Sequence, residues 1–213
     1  VGGSRGAKKR GRIESWELSP DQVVLQPAMR ALCRQARKAV SQMSSQQAAM
    51  VAWACARMGY RDEALLQALA NHVSHTSLKL APKAQGLSML AWAYATLDFK
   101  HPALLSRLMQ TAKAKAKWFQ PQALSNLLWG LGHFKVCDQE LLSLLAREAV
   151  YKVDDLKPLG ITTILEAWAH AGFYNISLFA VAVPAARKQL PAFSPPTLVR
   201  LLTACACVGH FDR

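Results

Sequence analysis

The chain has 213 residues, of which 52% are hydrophobic, enough for a continuous core, and it contains no apolar run near the ~20 residues that span a bilayer. Its 26 lysines and arginines against 13 acidic residues give a net charge of +13, which favours nucleic acid first and an anionic membrane surface second as partner, with solubility alone as the alternative interpretation. Five irregularly spaced cysteines do not indicate a disulfide framework and favour a reducing compartment, and no secretory signal is visible.

Residues 1–20 are predicted to form a flexible basic arm. The segment begins with glycines and basic residues and contains no acid before Glu14, so it has little with which to build a core. Basic arms often lie along phosphates, whereas a plain disordered terminus or the remnant of a removed targeting peptide is the alternative. The candidate phosphate contacts of this arm are Arg5, Lys8, Lys9, Arg10 and Arg12.

Residues 21–213 are predicted to form a helical-repeat array. Residues 21–43 have apolar side chains at helical spacing and are interpreted as the second helix of a partial leading repeat. Four repeats and a truncated fifth follow, because one phrase recurs with an indole at a fixed place, most clearly in residues 121–132. The markers are Trp53, Trp92, Trp129, Trp168 and, in the fifth copy, Thr203, at spacings of 39, 37, 39 and 35 residues. Such a period is the signature of a solenoid.

Each repeat is predicted to be a hairpin of two helices, with helix A carrying the marker and helix B following a short polar turn. Asp62, Asp138 and Asn175 are predicted to cap B helices. The indole is expected to fill the gap between adjacent hairpins, so that its loss costs roughly 3–5 kcal/mol. Small residues one and three places after each marker are expected to let helices approach closely: Ala54 and Ala56, Ala93 and Ala95, Gly130 and Gly132, Ala169 and Ala171, Ala204 and Ala206.

The C-terminal end of the array is predicted to lack a helix. The fifth helix A is followed by too few residues for a helix B, which leaves an apolar side unpaired. We expect either that the protein continues or that a partner, such as a ribosomal protein, covers this end.

Two phrases resemble the octotricopeptide repeat family: Pro-Gln-x-Leu-x-Asn-x-Leu-Trp-x-Leu at residues 121–131 and Trp-Ala-x-Ala-x-x-Gly-Tyr at residues 53–60. The resemblance covers roughly residues 21–212. It implies repeats of about 38 residues, each a pair of antiparallel helices. It also implies an RNA-binding protein of chloroplasts or mitochondria that acts in transcript stabilisation, processing or translation, or as an added protein of an organellar ribosome.

Polar side chains three to eight places before each marker are the candidate base contacts, because in such a superhelix the A helices line the concave face. Asn and Gln present a donor and an acceptor together, and helical-repeat readers use two or three side chains per base. Ordinary solvated or capping residues are the alternative interpretation. The candidates are Gln46, Gln47, Gln85, Ser88, Gln122, Ser125, Asn126, Thr162, Thr163 and Arg200.

Basic residues toward the ends of the B helices, and in the turns that follow, are the candidate phosphate contacts. Their places in the repeat predict that many of them lie along one edge of the stack, where they would bind phosphates without regard to sequence. A solvated helix face is the alternative. The candidates are Arg34, Arg37, Lys38, Lys113, Lys115, Lys117, Lys152, Lys157, Arg187 and Lys188.

Catalysis and metal binding find little support in the sequence. Cys205 and Cys207 lack a second pair at metal-site spacing, and no Ser-His-Asp group stands out. We therefore expect an all-α solenoid without enzymatic activity, cofactor or metal, whose partner is rRNA or an organellar transcript and not a membrane. The main hypothesis is a structural component of a mitochondrial, or else chloroplast, ribosome. A transcript stabilisation, processing or translation factor and a protein–protein scaffold are the alternatives.

Overall fold

The structure is a computed structural model that describes residues 20–76, 83–170, 172 and 174–209, so the basic arm and its five candidate contacts lie outside the described residues. The described residues form ten α-helices and no strand, which confirms the all-α prediction. None of these helices is long and apolar enough to cross a membrane. The helices are α1 (Pro20–Ala39), α2 (Ser45–Arg57), α3 (Glu63–His75), α4 (Ala84–Thr96), α5 (Pro102–Lys115), α6 (Pro121–His133), α7 (Gln139–Tyr151), α8 (Pro158–His170), α9 (Ile176–Lys188) and α10 (Pro195–Cys207).

The helices form two layers. The even-numbered helices are the A helices, and each packs against the next A helix along the chain. The odd-numbered helices are the B helices, and they make a second layer in the same way. The A helices α2, α4, α6 and α8 also contact the B helix that follows each of them. This stacking of antiparallel hairpins, in which each unit contacts mainly its neighbours, confirms the predicted solenoid.

The A helices run parallel, so the array has two different edges. At the entry edge, where linkers lead from B helices into A helices, the side-chain amide of Gln189 donates to the carbonyl of Leu156 in the preceding linker at 3.0 Å. At the exit edge, where A helices turn into B helices, Arg61 donates to the carbonyl of Leu97 in the next turn at 3.1 Å. Each edge therefore brings together side chains from equivalent places in successive repeats.

Each A helix is followed by a residue with a left-handed backbone. After α4, the amide of Phe99 donates to the carbonyl of Tyr94 at 2.9 Å, which closes the helix end as in a Schellman motif. Glycine holds three of the five positions because it adopts this conformation without a steric cost. The five residues, with their φ angles, are Gly59 (62°), Asp98 (48°), Lys135 (53°), Gly172 (65°) and Gly209 (66°).

The fourth repeat has a different register from the one that the indoles predict. The A helices begin at residues 45, 84, 121, 158 and 195, and their spacings of 39, 37, 37 and 37 match those of the left-handed residues. Trp53, Trp92 and Trp129 are each the ninth residue of an A helix, and the equivalent residue of α8 is Glu166. Trp168 is the eleventh residue, so its assignment as the fourth marker is wrong. The small pair of this repeat is accordingly Ala167 and Ala169.

Small residues let the A helices approach closely, as predicted. A Cβ atom added to Gly130 would lie 2.5 Å from the carbonyl oxygen of Ala91 in α4. One added to Gly132 would lie 3.0 Å from the Cα atom of Ala167 in α8. Backbone thus meets backbone on both sides of α6, which leaves no room for larger side chains at these two positions.

The B helices begin at side-chain caps. Asp62, Asp138 and Asn175 each accept a hydrogen bond of 2.9 Å from the backbone N–H three residues further on, which confirms all three predicted caps. The ring of His101 serves α5 in the same way, since its Nδ1 accepts from the N–H of Leu104 at 3.1 Å. Desolvation lowers the pKa of His101, which favours the neutral ring that this acceptor role requires.

The indoles have different environments because of the register. Trp168 is 1% exposed, whereas Trp53 is 39% exposed and Trp92 and Trp129 are half-buried. Two residues along an α-helix turn the side chain by about 200°, so the eleventh residue faces the core when the ninth faces the surface. The predicted filling of the gap between hairpins is therefore correct for Trp168 and wrong for Trp53.

We expect Trp168→Ala to lower the free energy of unfolding by about 3–5 kcal/mol, because it empties a fully buried site. Trp53→Ala removes the same side chain from a partly exposed site and is expected to cost about 1 kcal/mol. Urea denaturation followed by far-UV circular dichroism measures both values. Equal losses in the two variants would contradict the register described above.

The outer side of α10 is apolar and exposed. Val199 and Leu202, the fifth and eighth residues of α10, are exposed. At the same positions of α6, Ser125 and Leu128 are buried. The exposed side of α10 thus resembles an A helix that has no neighbour on that side among the described residues, and the partner expected there stays a prediction.

Candidate nucleic-acid interface

The A helices share one outward face, here called the A-layer surface. Residues 2, 6, 9 and 13 of an A helix lie on the same side because they are four, three and four places apart, and all of them are half-buried or exposed. The surface crosses all five A helices. It comprises Gln46, Met50, Trp53 and Arg57 of α2, Gln85, Met89, Trp92 and Thr96 of α4, Gln122, Asn126, Trp129 and His133 of α6, Leu159, Thr163, Glu166 and His170 of α8, and Pro196, Arg200, Thr203 and Cys207 of α10.

Three indoles follow one another on the A-layer surface. The rings of Trp92 and Trp129 have centroids 6.5 Å apart and are tilted by 38°, and the ring of His133 stacks on Trp129 at 5.7 Å. The guanidinium of Arg57 lies 5.8 Å from the ring centroid of Trp53. Partly exposed aromatic rings of this kind stack on unpaired bases, with a contribution of about 1–3 kcal/mol per base. The row therefore offers a base-stacking platform on successive repeats.

Six of the predicted base contacts lie on the A-layer surface, at residues 2 and 6 of the A helices: Gln46, Gln85, Gln122, Asn126, Thr163 and Arg200. The side-chain nitrogen of Gln122 donates to the side-chain oxygen of Asn126 at 3.2 Å, which orients both amides. The side-chain oxygen of Gln46 is buried and has no hydrogen-bond partner among the described residues. The contact of these side chains with bases stays a prediction.

The other four candidates are placed elsewhere. Ser88, Ser125 and Thr162 are buried, each as the fifth residue of an A helix, about 100° around the helix from the sixth. The hydroxyls of Ser88 and Ser125 donate to carbonyls of their own helices at 2.8 Å and 3.1 Å. Gln47 closes a capping box with Ser44 at the start of α2. In this structure Ser88, Ser125 and Thr162 therefore pack inside the array and Gln47 caps α2, so these four side chains are not placed to contact bases.

The fourth repeat replaces the indole with an ion pair. The guanidinium of Arg200 binds the carboxylate of Glu166 as a fork, with Nε 3.2 Å from each carboxylate oxygen and Nη2 bonded to one of them. Because Glu166 accepts these hydrogen bonds, the pKa of Arg200 is raised. The A-layer surface thus changes from aromatic to a paired carboxylate and guanidinium between α6 and α10.

Basic side chains collect along the entry edge. On the A-layer side of this edge lie the positive ends of the A-helix dipoles, which favour an anion there, whereas the negative ends of the B-helix dipoles lie in the layer behind. Arg34 is exposed slightly further back on α1, and Lys115 is half-buried at the end of α5. The exposed members, in last turns of B helices or in linkers, are Arg37, Lys38, Lys117, Lys157, Arg187 and Lys188.

Two of the lysines that were predicted to contact phosphates form ion pairs with carboxylates instead. Lys113 lies 2.5 Å from Glu140 and 3.0 Å from Asp138, and hydrogen bonds to Glu140 and then Asp138 raise its pKa. Lys152 lies 2.5 Å from Glu148, one helical turn earlier on α7. The ion pairs of Lys113 join α5 to α7, and the ion pair of Lys152 stabilises α7. The two lysines therefore contribute less positive charge to the entry edge than the sequence indicates.

A comparison with known protein families shows which family the chain belongs to. Residues 25–211 match the family of the RNA-editing substrate-binding complex 6 protein. The chain belongs to this family. The match extends from α1 through α10, and so includes the whole A-layer surface. No curated protein matches the sequence.

Membership of the RNA-editing substrate-binding complex 6 family supports the general expectation of a helical protein associated with RNA. The family name concerns a complex that binds RNA-editing substrates, in agreement with an RNA-associated helical protein. It does not identify the repeats as octotricopeptide repeats, and it names no ribosome.

Sequence reasoning missed two features of the surface in this member of the RNA-editing substrate-binding complex 6 family. It treated the repeated indoles as core residues, although three of them lie on the A-layer surface. It also passed over Trp118, which is 76% exposed in the linker before α6. The available signal was that the equivalent positions before α2, α8 and α10 hold Gln42, Asp155 and Ala192, so the repeat does not require an aromatic residue at Trp118.

The cysteines of this family member are spread over the array. Within the described residues, no group of three or more His, Cys, Asp and Glu side chains is close enough to hold a metal ion. Burial raises the pKa of Cys55 to about 12 and also raises that of Cys33, with which it interacts. Thiols of this kind are poor nucleophiles because the thiolate is scarce. Burial likewise raises the pKa of Cys205, whereas Cys137 and Cys207 are exposed.

Proposed function

We propose that the chain is a non-catalytic RNA-binding subunit of a complex that handles RNA-editing substrates, and that it holds unpaired RNA on the A-layer surface. The observation that carries this proposal is the row of partly exposed indoles at one position of three successive A helices, beside amide side chains and next to a basic edge. The family name adds RNA editing as the process.

In this proposal the three parts of the interface have separate roles. Bases stack on Trp53, Trp92 and Trp129, because indole faces accept any base. The amides of Gln122 and Asn126 supply donors and acceptors to base edges, which unpaired RNA exposes. Phosphates lie toward the entry edge, where lysines, arginines and A-helix N-termini favour negative charge.

The family name favours a transcript-processing role over the ribosomal role of our main sequence-based hypothesis. We retain two finer expectations as part of the proposal, namely octotricopeptide-type repeats and a mitochondrial location. The repeat spacings of 37 and 39 residues support the first. The second follows from the resemblance to organellar RNA-binding proteins, and subcellular fractionation tests it.

A scaffold that binds other proteins is the second candidate function. It is favoured by the family name, which is that of a component of a complex and so implies protein partners. In that case a protein component of the complex is the expected partner, while RNA occupies the A-layer surface.

A salt titration of RNA binding tests the proposed function. We expect the purified chain to bind a single-stranded oligonucleotide with an affinity that falls as salt rises, with a slope of about −0.7 per phosphate contact in a plot of log K against log salt. The double variant Lys117→Ala, Lys157→Ala at the entry edge should weaken binding and reduce the magnitude of this slope by about 1–1.5.

The matched control removes two charges from the exit edge, in the double variant Lys100→Ala, Lys135→Ala. Both lysines are exposed and lie in turns between A and B helices. We expect this control to keep most of the affinity and slope. Equal losses in the two double variants would rule out an entry-edge path for the phosphates, and no binding at low salt would favour the scaffold.

A further inference from the structure

At the entry-edge side of the A-layer surface, two cavities lie at equivalent places one repeat apart, and the smaller one has a volume of about 190 Å³. The larger one comes first along the chain. Its volume is about 880 Å³, within the range of small-molecule sites. It spans α2, α4 and α6 and the linker before α6. The side chains that matter for the argument are Trp53, Lys83, Lys115, Trp118, Gln122 and Asn126.

Trp118 gives the cavity its unusual character. It ends a short 3-10 turn between α5 and α6 and is 76% exposed. The residues three places before α2, α8 and α10 are Gln42, Asp155 and Ala192, so an aromatic residue here is not a requirement of the hairpin. An indole that leaves most of its surface in water contributes little to the core, and indoles at wet sites are typical of binding surfaces.

The polar groups of the cavity suit a nucleobase. Because Gln122 donates through its side-chain nitrogen to the oxygen of Asn126, the carbonyl oxygen of Gln122 and the amide nitrogen of Asn126 remain as an acceptor and a donor that can bond a base edge. Trp53, 39% exposed, adds a second aromatic ring to the lining.

The charged groups of the cavity suit a phosphate. Lys83 and Lys115 are the charged side chains among its lining residues, and none of the described residues that line it carries a carboxylate. Lys83 is exposed and occupies the N-cap position of α4, so an anion beside it also meets the positive end of that helix dipole. An aromatic wall, an amide pair and two lysines together match a base and its phosphate.

We propose that this cavity holds one nucleotide, with Trp118 stacked on the base, the amides of Gln122 and Asn126 at its edge and Lys83 at its phosphate. This assignment rests on the proposed function when the nucleotide belongs to a bound RNA strand. In that case the cavity takes up a base that leaves the row of stacked bases at the entry edge. A free nucleotide has the same chemistry and is the second source.

The experiment compares the full chain with its Trp118→Ala variant against two probes, a single-stranded RNA oligonucleotide and AMP. For a strand nucleotide, we expect the variant to bind the oligonucleotide about tenfold more weakly than the wild type, since one stacked base is lost, and Trp118→Phe to recover part of the affinity. For a free nucleotide, AMP quenches the tryptophan fluorescence of the wild type, and the variant loses this binding.

Tyr151→Ala is the matched control, because Tyr151 is an aromatic residue that is 85% exposed on α7, outside this cavity. Tyr151→Ala should change neither the affinity for the oligonucleotide nor the affinity for AMP. The inference is overturned, and the proposed function stands, when Trp118→Ala binds both probes like the wild type while Trp129→Ala weakens oligonucleotide binding. Loss of AMP binding in Trp118→Ala, with a wild type that binds no oligonucleotide, supports the cavity and overturns the proposed function. A wild type that binds neither probe overturns both.

Discussion

Replacing Gly130 by alanine is expected to lower the free energy of unfolding by about 2–3 kcal/mol. Elsewhere in a helix the same change adds roughly 0.5–1 kcal/mol of stability, so the sign is reversed here. The reason is that the added Cβ would lie 2.5 Å from the carbonyl oxygen of Ala91, and α4 and α6 must separate to admit it. Thermal denaturation should show a fall in Tm of roughly 4–12 °C for a chain of this size.

Two further variants locate the cause of that loss. The double variant Ala91→Gly, Gly130→Ala should recover little stability, because the nearest atom is a backbone oxygen and remains when the Ala91 side chain is removed. Gly132→Ala should cost less than Gly130→Ala, since its nearest neighbour is 3.0 Å away. A Gly130→Ala protein as stable as the wild type would show that the A helices are further apart than described.

Replacing both Trp92 and Trp129 by alanine is expected to weaken single-stranded RNA binding by about a hundredfold, and either change alone by about tenfold. Both indoles are partly exposed on the A-layer surface, with ring centroids 6.5 Å apart, so each can stack on a base. Fluorescence anisotropy with a labelled oligonucleotide measures the affinity, and circular dichroism verifies that each variant is folded.

Trp168→Ala is the matched control for the indole row. If the four indoles were equivalent, this variant would lose as much RNA affinity as Trp129→Ala. Because Trp168 is buried, we expect it to lose stability while its folded fraction binds RNA like the wild type. A variant of Trp168 that is fully folded but impaired in RNA binding would contradict the assignment of Glu166 to the equivalent surface position.

Much of the site was predictable because repeats constrain residues locally. The candidates Gln85 and Gln122 each lie seven places before an indole and Asn126 lies three places before one, and the structure places all three on the A-layer surface. Ser88 and Ser125 each lie four places before an indole, between these positions, yet they face inward. One residue along a helix turns the side chain by about 100°, so proximity in the phrase does not tell which face a residue occupies.

The sequence alone determined the hairpins, their period, the caps Asp62, Asp138 and Asn175 and the close contacts at Gly130 and Gly132, because these depend on short segments that repeat. Only the tertiary structure decided the register of the fourth repeat and the pairing of Glu166 with Arg200. It also brought Trp118 to the cavity that Trp53 lines, 65 residues away along the chain. An indole can fill a core or cover a surface equally well, and the packing of neighbouring helices selects between the two.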